Sequence, residues 1–147
     1  MKKGALLSVI LILVVSVAGP VSAKLFVGFT SGAGWVVGPT GAKATFAVFA
    51  RKQQDGTITG NLVYIDHGID LRVTSTSLTA FLPGCQSEIV GEGDSNAGPV
   101  QFLVTLLDNG EPGTTDALTI EVTGSVAYVN AGLLGGGNIR AHRESCP

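Results

Sequence analysis

The chain has 147 residues, a formal net charge of −2 and only 14% charged side chains. That length holds one domain behind a short leader, and a near-neutral, slightly acidic balance excludes a nucleic-acid binder or a polybasic membrane-surface protein, which would need a basic face. A hydrophobic content of 45% excludes a disordered chain, and 21 glycines, about twice ordinary usage, point to a turn-rich β-domain.

The N-terminus reads as a secretory leader. Lys2 and Lys3 form a positive start, Ala5 to Ala18 is an apolar run broken only by Ser8 and Ser16, and Val21-Ser22-Ala23 supplies a cleavage site. The apolar run falls short of the ~20 residues that span a bilayer. Cleavage after Ala23 is therefore expected, leaving 24–147 as one secreted domain, extracellular or periplasmic, with no membrane span.

Past residue 23, Gly and Pro interrupt the chain too often for long helices, and the short runs between them are rich in β-branched and aromatic residues. Alternation gives each strand a buried face. Phe46, Val48 and Ala50 share a side in 44–51. Ile58, Leu62 and Tyr64 share a side in 57–66, Val100, Phe102, Val104 and Leu106 in 100–107, and Leu118, Ile120 and Val122 in 117–123. In 69–82 the parity changes: Leu71 and Val73 are odd, whereas Leu78, Ala80 and Leu82 are even. A β-bulge or bend is expected within Thr74–Ser77. Turns are expected at Gln54-Asp55-Gly56, at Asp66-His67-Gly68, across Asp108–Thr115 and at Thr123-Gly124-Ser125, with 126–130 extended beyond the last of these. The Gly132–Gly137 cluster predicts a kink before a last strand at 138–143. The fold class is all-β: a single antiparallel domain of about seven or eight strands, either a meander β-barrel or a two-sheet β-sandwich.

Two cysteines, Cys85 and Cys146, in a secreted chain predict one disulfide. It would close a loop of about 62 residues, worth roughly 4 kcal/mol in the chain-entropy model.

Four sequence pieces, in order, carry a family likeness: Gly60-Asn61-Leu62-Val63-Tyr64-Ile65-Asp66-His67-Gly68, then Ser75-Thr76-Ser77-Leu78, then Thr105-Leu106-Leu107-Asp108-Asn109-Gly110-Glu111-Pro112-Gly113, then Gly135-Gly136-Gly137-Asn138-Ile139. Together they resemble the post-COAP domain, a secreted bacterial module found after choice-of-anchor domains or alone behind a signal peptide. The likeness covers roughly residues 32–142, and the Asp-Asn-Gly-Glu-Pro-Gly run is its most specific piece. It implies an all-β extracellular domain with no established activity. The chain departs from the pattern by ending Arg140-Ala141-His142 and continuing to Cys146.

The chemically capable residues form weak constellations. Asp66, His67 and Asp70 combine an imidazole with carboxylates, as a general base or a divalent-metal site would, against the simpler reading of a capped turn. Asp108, Glu111 and Asp116 form an acidic turn of the kind Ca²⁺ favours, against an Asx-stabilised loop. Glu92, Asp94 and Asn96 form a weaker acidic loop. Trp35 and Tyr64 are candidate aromatic contacts for a sugar or apolar ligand, against a core role. No nucleophile accompanies any of these, so no catalysis is expected. The expected function is structural or interactive, with an extracellular protein or glycan as partner and the loops at 66–70, 92–98 and 108–116 carrying contacts. One alternative is a barrel binding an apolar or carbohydrate ligand, hinted at by small residues such as Gly60, Ala80 and Ala127 facing inward. Another is a divalent-metal-dependent module or hydrolase at Asp66/His67/Asp70.

Overall fold

The computed structural model describes residues 26–142; the expected leader and Cys146 lie outside them. Nine strands form one antiparallel sheet: β1 Phe26–Val37, β2 Lys43–Gln53, β3 Ile58–Asp66, β4 Leu71–Leu82, β5 Gln86–Ser95, β6 Gly98–Leu107, β7 Ala117–Gly124, β8 Tyr128–Leu133 and β9 Gly136–His142. Their order is β8-β7-β6-β5-β4-β3-β2-β1-β9. The chain therefore meanders from β1 to β8 and then places β9 on the far side of β1.

That last step dictates the shape. Nine flat strands at about 4.8 Å spacing would put β8 and β9 about 38 Å apart. Only Leu134 and Gly135 join them, and so short a link spans roughly 10 Å. The sheet must curl until its two ends meet, and it does so as a half-barrel. A single curled sheet replaces the sandwich alternative.

The concave side holds the core. Phe46, Val48 and Ala50 of β2, Leu62 and Tyr64 of β3, Val100, Phe102, Val104 and Leu106 of β6, and Leu118, Ile120 and Val122 of β7 are buried, as the alternation predicts. Val36, Phe81, Ile89 and Ile139 join them. Thr30 Oγ1 and Ser87 Oγ bond each other and Ser87 donates to the Gly84 carbonyl at 2.7 Å, linking β1 to β5 across the interior. Of the small residues expected to face inward, Ala80 pairs with exposed Val90 and Ala127 is exposed, whereas Gly60, itself exposed, lies opposite buried Ala50 on the inward parity.

Two strands, β1 and β5, raise the count above the expected seven or eight. Glycines break their apolar pattern (Gly28, Gly32 and Gly34 in β1; Gly91 and Gly93 in β5). Two of these have a packing reason. A Cβ on Gly34 would strike the Gly136 carbonyl on β9, and one on Gly91 would strike the Phe102 ring. The expected 92–98 loop is mostly strand. Only Asn96 and Ala97 turn, with Ser95 Oγ accepting from the Ala97 N–H at 3.1 Å and donating to the Gly98 carbonyl at 2.8 Å.

In β4 the register slips between Ser75 and Ser77, where a bulge is expected, and again between Leu78 and Ala80. The second slip restores the original parity. Phe81 is buried at 1% exposure and Leu82 is 59% exposed, the reverse of the simple alternation. Truncating Phe81 to Ala should therefore cost about 3–5 kcal/mol in urea unfolding, whereas Leu82→Ala should stay within about 0.5 kcal/mol. Equal costs would contradict this register.

Candidate functional site

The candidate residues divide between the two seams where the curled sheet meets itself. At the β9 seam, the 108–116 loop follows β6 and faces the outer edge of β9. A β-strand with one neighbour leaves alternate N–H groups unpaired. Here carboxylates take them. Ile139 N–H donates to Asp116 Oδ2 at 2.8 Å, and Ala141 N–H donates to Asp108 Oδ2 at 2.7 Å. Each acid uses its other oxygen within its own loop: Asn109 N–H donates to Asp116 Oδ1 at 2.9 Å and Gly110 N–H to Asp108 Oδ1 at 3.2 Å. Glu111 accepts from Asn138 Nδ2 at 2.9 Å and from Arg140 Nε at 3.0 Å. All three acids of the loop thus bind four successive residues of β9, 138–141. Gly113, at φ 69°, lies against Asn138 so closely that a Cβ would strike its side-chain oxygen.

This geometry answers the Ca²⁺ reading of Asp108, Glu111 and Asp116. Asp116 is fully buried and both its oxygens already accept backbone N–H groups. Among the described residues, no three His, Cys, Asp or Glu side chains gather as metal ligands.

At the other seam, β8 meets β3 and the end of β1 through a buried polar chain. Tyr128 O–H donates to Asp66 Oδ2 at 2.7 Å. That fixes the next proton: Tyr64 O–H donates to the Tyr128 oxygen across 2.8 Å, and Asn130 Nδ2 donates to the Tyr64 oxygen at 2.9 Å. Asn130 Nδ2 also reaches the Val37 carbonyl at 3.2 Å. The remaining Asp66 oxygen accepts the Gly68 N–H at 2.8 Å, which shapes the turn into β4. Asp66 and Tyr64 have no exposed surface. Burial raises both tyrosine pKa values above the ordinary phenol value, and for Tyr128 the neighbouring Tyr64 and Asp66 raise it further.

The Asp66/His67/Asp70 constellation is thereby dispersed. The Asp66 carboxylate faces the interior. His67 is exposed, its Nε2 3.0 Å from Thr45 Oγ1 and its backbone N–H on the Lys43 carbonyl. Asp70 is an exposed turn residue at φ 54° whose carbonyl accepts from Asn96 Nδ2. The pairing of imidazole with an orienting carboxylate that a general base needs is not formed between Asp66 and His67.

The aromatic candidates are engaged as well. Tyr64 is buried. Trp35 lies on the outer side of β1 with its ring packed over Gly135 and Gly136, and Lys43 Nζ stands 4.2 Å from the ring centroid. Cys85, in the turn between β4 and β5, is held at the β9 seam: its carbonyl accepts from Asp108 N–H at 2.8 Å. Pro83 and the His142 carbonyl both pack on Gly28, which brings this turn beside the end of β9.

The sequence reading takes Tyr128 only as one more aromatic beside Trp35 and Tyr64 and misses Asn130 and the polar chain, although the spacing of Tyr128 and Asn130 two apart in a strand carries a signal. A Tyr and an Asn on the same face as core residues must find polar partners. Compared with family models, curated proteins and solved structures, the chain matches none.

Tyr64 and Tyr128 are the two tyrosines of the chain, so an ultraviolet alkaline titration reads them alone. Their native phenols should hold their protons past the ordinary value of 10.0. The unfolded chain ionises first, so stability is fully present below pH 10 and falls as pH rises above it. Tyrosinate absorbance should appear only together with loss of fold. A reversible rise centred near pH 10 in folded protein would contradict the buried chain.

Proposed function

We propose that the protein is a secreted, disulfide-tied β-module that acts by surface recognition of an extracellular protein or glycan, without bond chemistry of its own. The observation that carries this reading is where the reactive side chains go: Asp66, Asp108 and Asp116 are each bound to backbone N–H groups or to Tyr128, and so serve the fold. The concave side is filled by Phe46, Phe81, Phe102, Leu62 and Tyr64, which disfavours a ligand held inside. What remains for recognition is the convex surface and the loops at 66–70 and 108–116.

The likeness to the post-COAP module supports the same reading, because its most specific piece, Asp108–Gly113, and its last piece, Gly135–Ile139, are the two sides of one seam. The leader supports an address outside the cytoplasm, and the placement of Cys85 beside the end of β9 supports a bridge to Cys146, four residues past His142.

Expression of the full chain in a secreting host should place it outside the cells at the mass of residues 24–147 less two hydrogens. Reduction should lower its melting temperature, and EDTA should leave that temperature unchanged. An intact leader or free thiols would overturn the secreted reading. A loss of stability in EDTA would return the acidic loops to the metal reading.

A further inference from the structure

The strands sort their charges by sign. β9 and β1 through β4 carry Lys43, Arg51, Lys52, Arg72 and Arg140, and their one carboxylate is the buried Asp66. β5 through β8 carry Glu88, Glu92, Asp94 and Glu121 and no cation. Because the sheet order is β8-β7-β6-β5 followed by β4-β3-β2-β1-β9, the charges on the convex parity fall into two contiguous halves by sign; Lys52 shares the parity of buried Ala50, pairs with Ile58 and stands apart from them.

Both halves have the anatomy of an interface, an apolar centre with a charged rim. On the cationic half, register aligns Arg140, Ser31, Phe49 and Asn61 in one row, Ala33, Ala47 and Val63 in a second, and Trp35, Thr45, Ile65 and Arg72 in a third. Phe49 is 37% exposed at the middle, and small side chains at Ser31, Gly32 and Ala33 leave a hollow of about 380 Å³ beside Asn138 and Arg140. Glu111 reaches into this half from its loop to pair with Arg140. On the anionic half, Glu88 and Glu92 flank Val90 along β5, and the Val90 row continues through Leu103 to Glu121 and Val129. Val129 is 63% exposed.

We propose that the partner of the cationic half is the anionic half of a second copy of this chain. Charge complementarity between two apolar-centred surfaces of one molecule selects that occupant. The proposal rests on the reading that the convex surface does the recognising. The contact is heterologous, so a bound pair keeps one free half of each sign, one on each copy, and growth continues into a ring or a filament.

Sedimentation of the secreted chain tests it. Concentration-dependent association is expected at low ionic strength, weakening at least about tenfold at 0.5 M salt, where charges screen within ~4 Å. Arg51→Glu with Arg72→Glu, and separately Glu88→Lys with Glu121→Lys, should each give a folded monomer, and mixing the two variants should restore association. A wild-type monomer at millimolar concentration, or association indifferent to salt and to both variants, would overturn the proposal. If that monomer instead binds dextran sulfate through Arg51 and Arg72, surface recognition survives with an acidic glycan as its partner. If it binds no glycan or extracellular protein, the recognition reading fails with it.

Discussion

Two residues, Leu134 and Gly135, connect opposite ends of a nine-stranded sheet, and most of the structure follows from that short link. The sheet must curl to satisfy it, yet β8 and β9 are not joined by a backbone ladder. Curling therefore brings two strand edges into the interior's margin, and the unpaired amides of β9 are costly there unless acceptors are supplied. The chain supplies them as side chains. Asp108 and Asp116 accept the free N–H groups of β9, and Asp66, through Tyr128, Tyr64 and Asn130, ties β8 to β3 and to the end of β1. The half-barrel is held at its seams by carboxylates rather than by a ninth pairing.

Seen from this constraint, the acidic residues that look most like chemistry in the sequence are structural. Charge-assisted bonds to backbone N–H groups are among the stronger hydrogen bonds available, roughly 1.5–3 kcal/mol each. Asp116 makes two of them in full burial. The exposed strand charges lie mainly on the convex side, where they are sorted by sign.

Much of the fold is legible in the sequence because one-sided burial writes itself as alternation. β2, β3, β6 and β7 each keep their buried apolar residues on a single parity, and their turns carry Gly or Asp at the right places. β1 and β5 are illegible because packing against β9 and Phe102 demands glycine where the pattern demands an apolar side chain. β4 is half legible. Its first bulge shows as a parity change, and its second hides behind Leu78 and Leu82, which mimic a continued alternation. The seams are illegible for a different reason. The donors to Asp108 and Asp116 lie 33 and 23 residues away on β9, so no local spacing marks those acids as caps. Likewise the charge sorting needs the strand order before it becomes a pattern.

Amide hydrogen exchange at Ile139 and Ala141 tests the seam most directly. Both amides sit on a strand edge with no neighbouring strand, so only the carboxylates can protect them. Closure by Asp116 and Asp108 requires protection comparable to core amides such as that of Ile120, lost selectively at Ile139 in Asp116→Ala. Exchange at Ile139 and Ala141 as fast as at an exposed edge, in the unmodified protein, would contradict it.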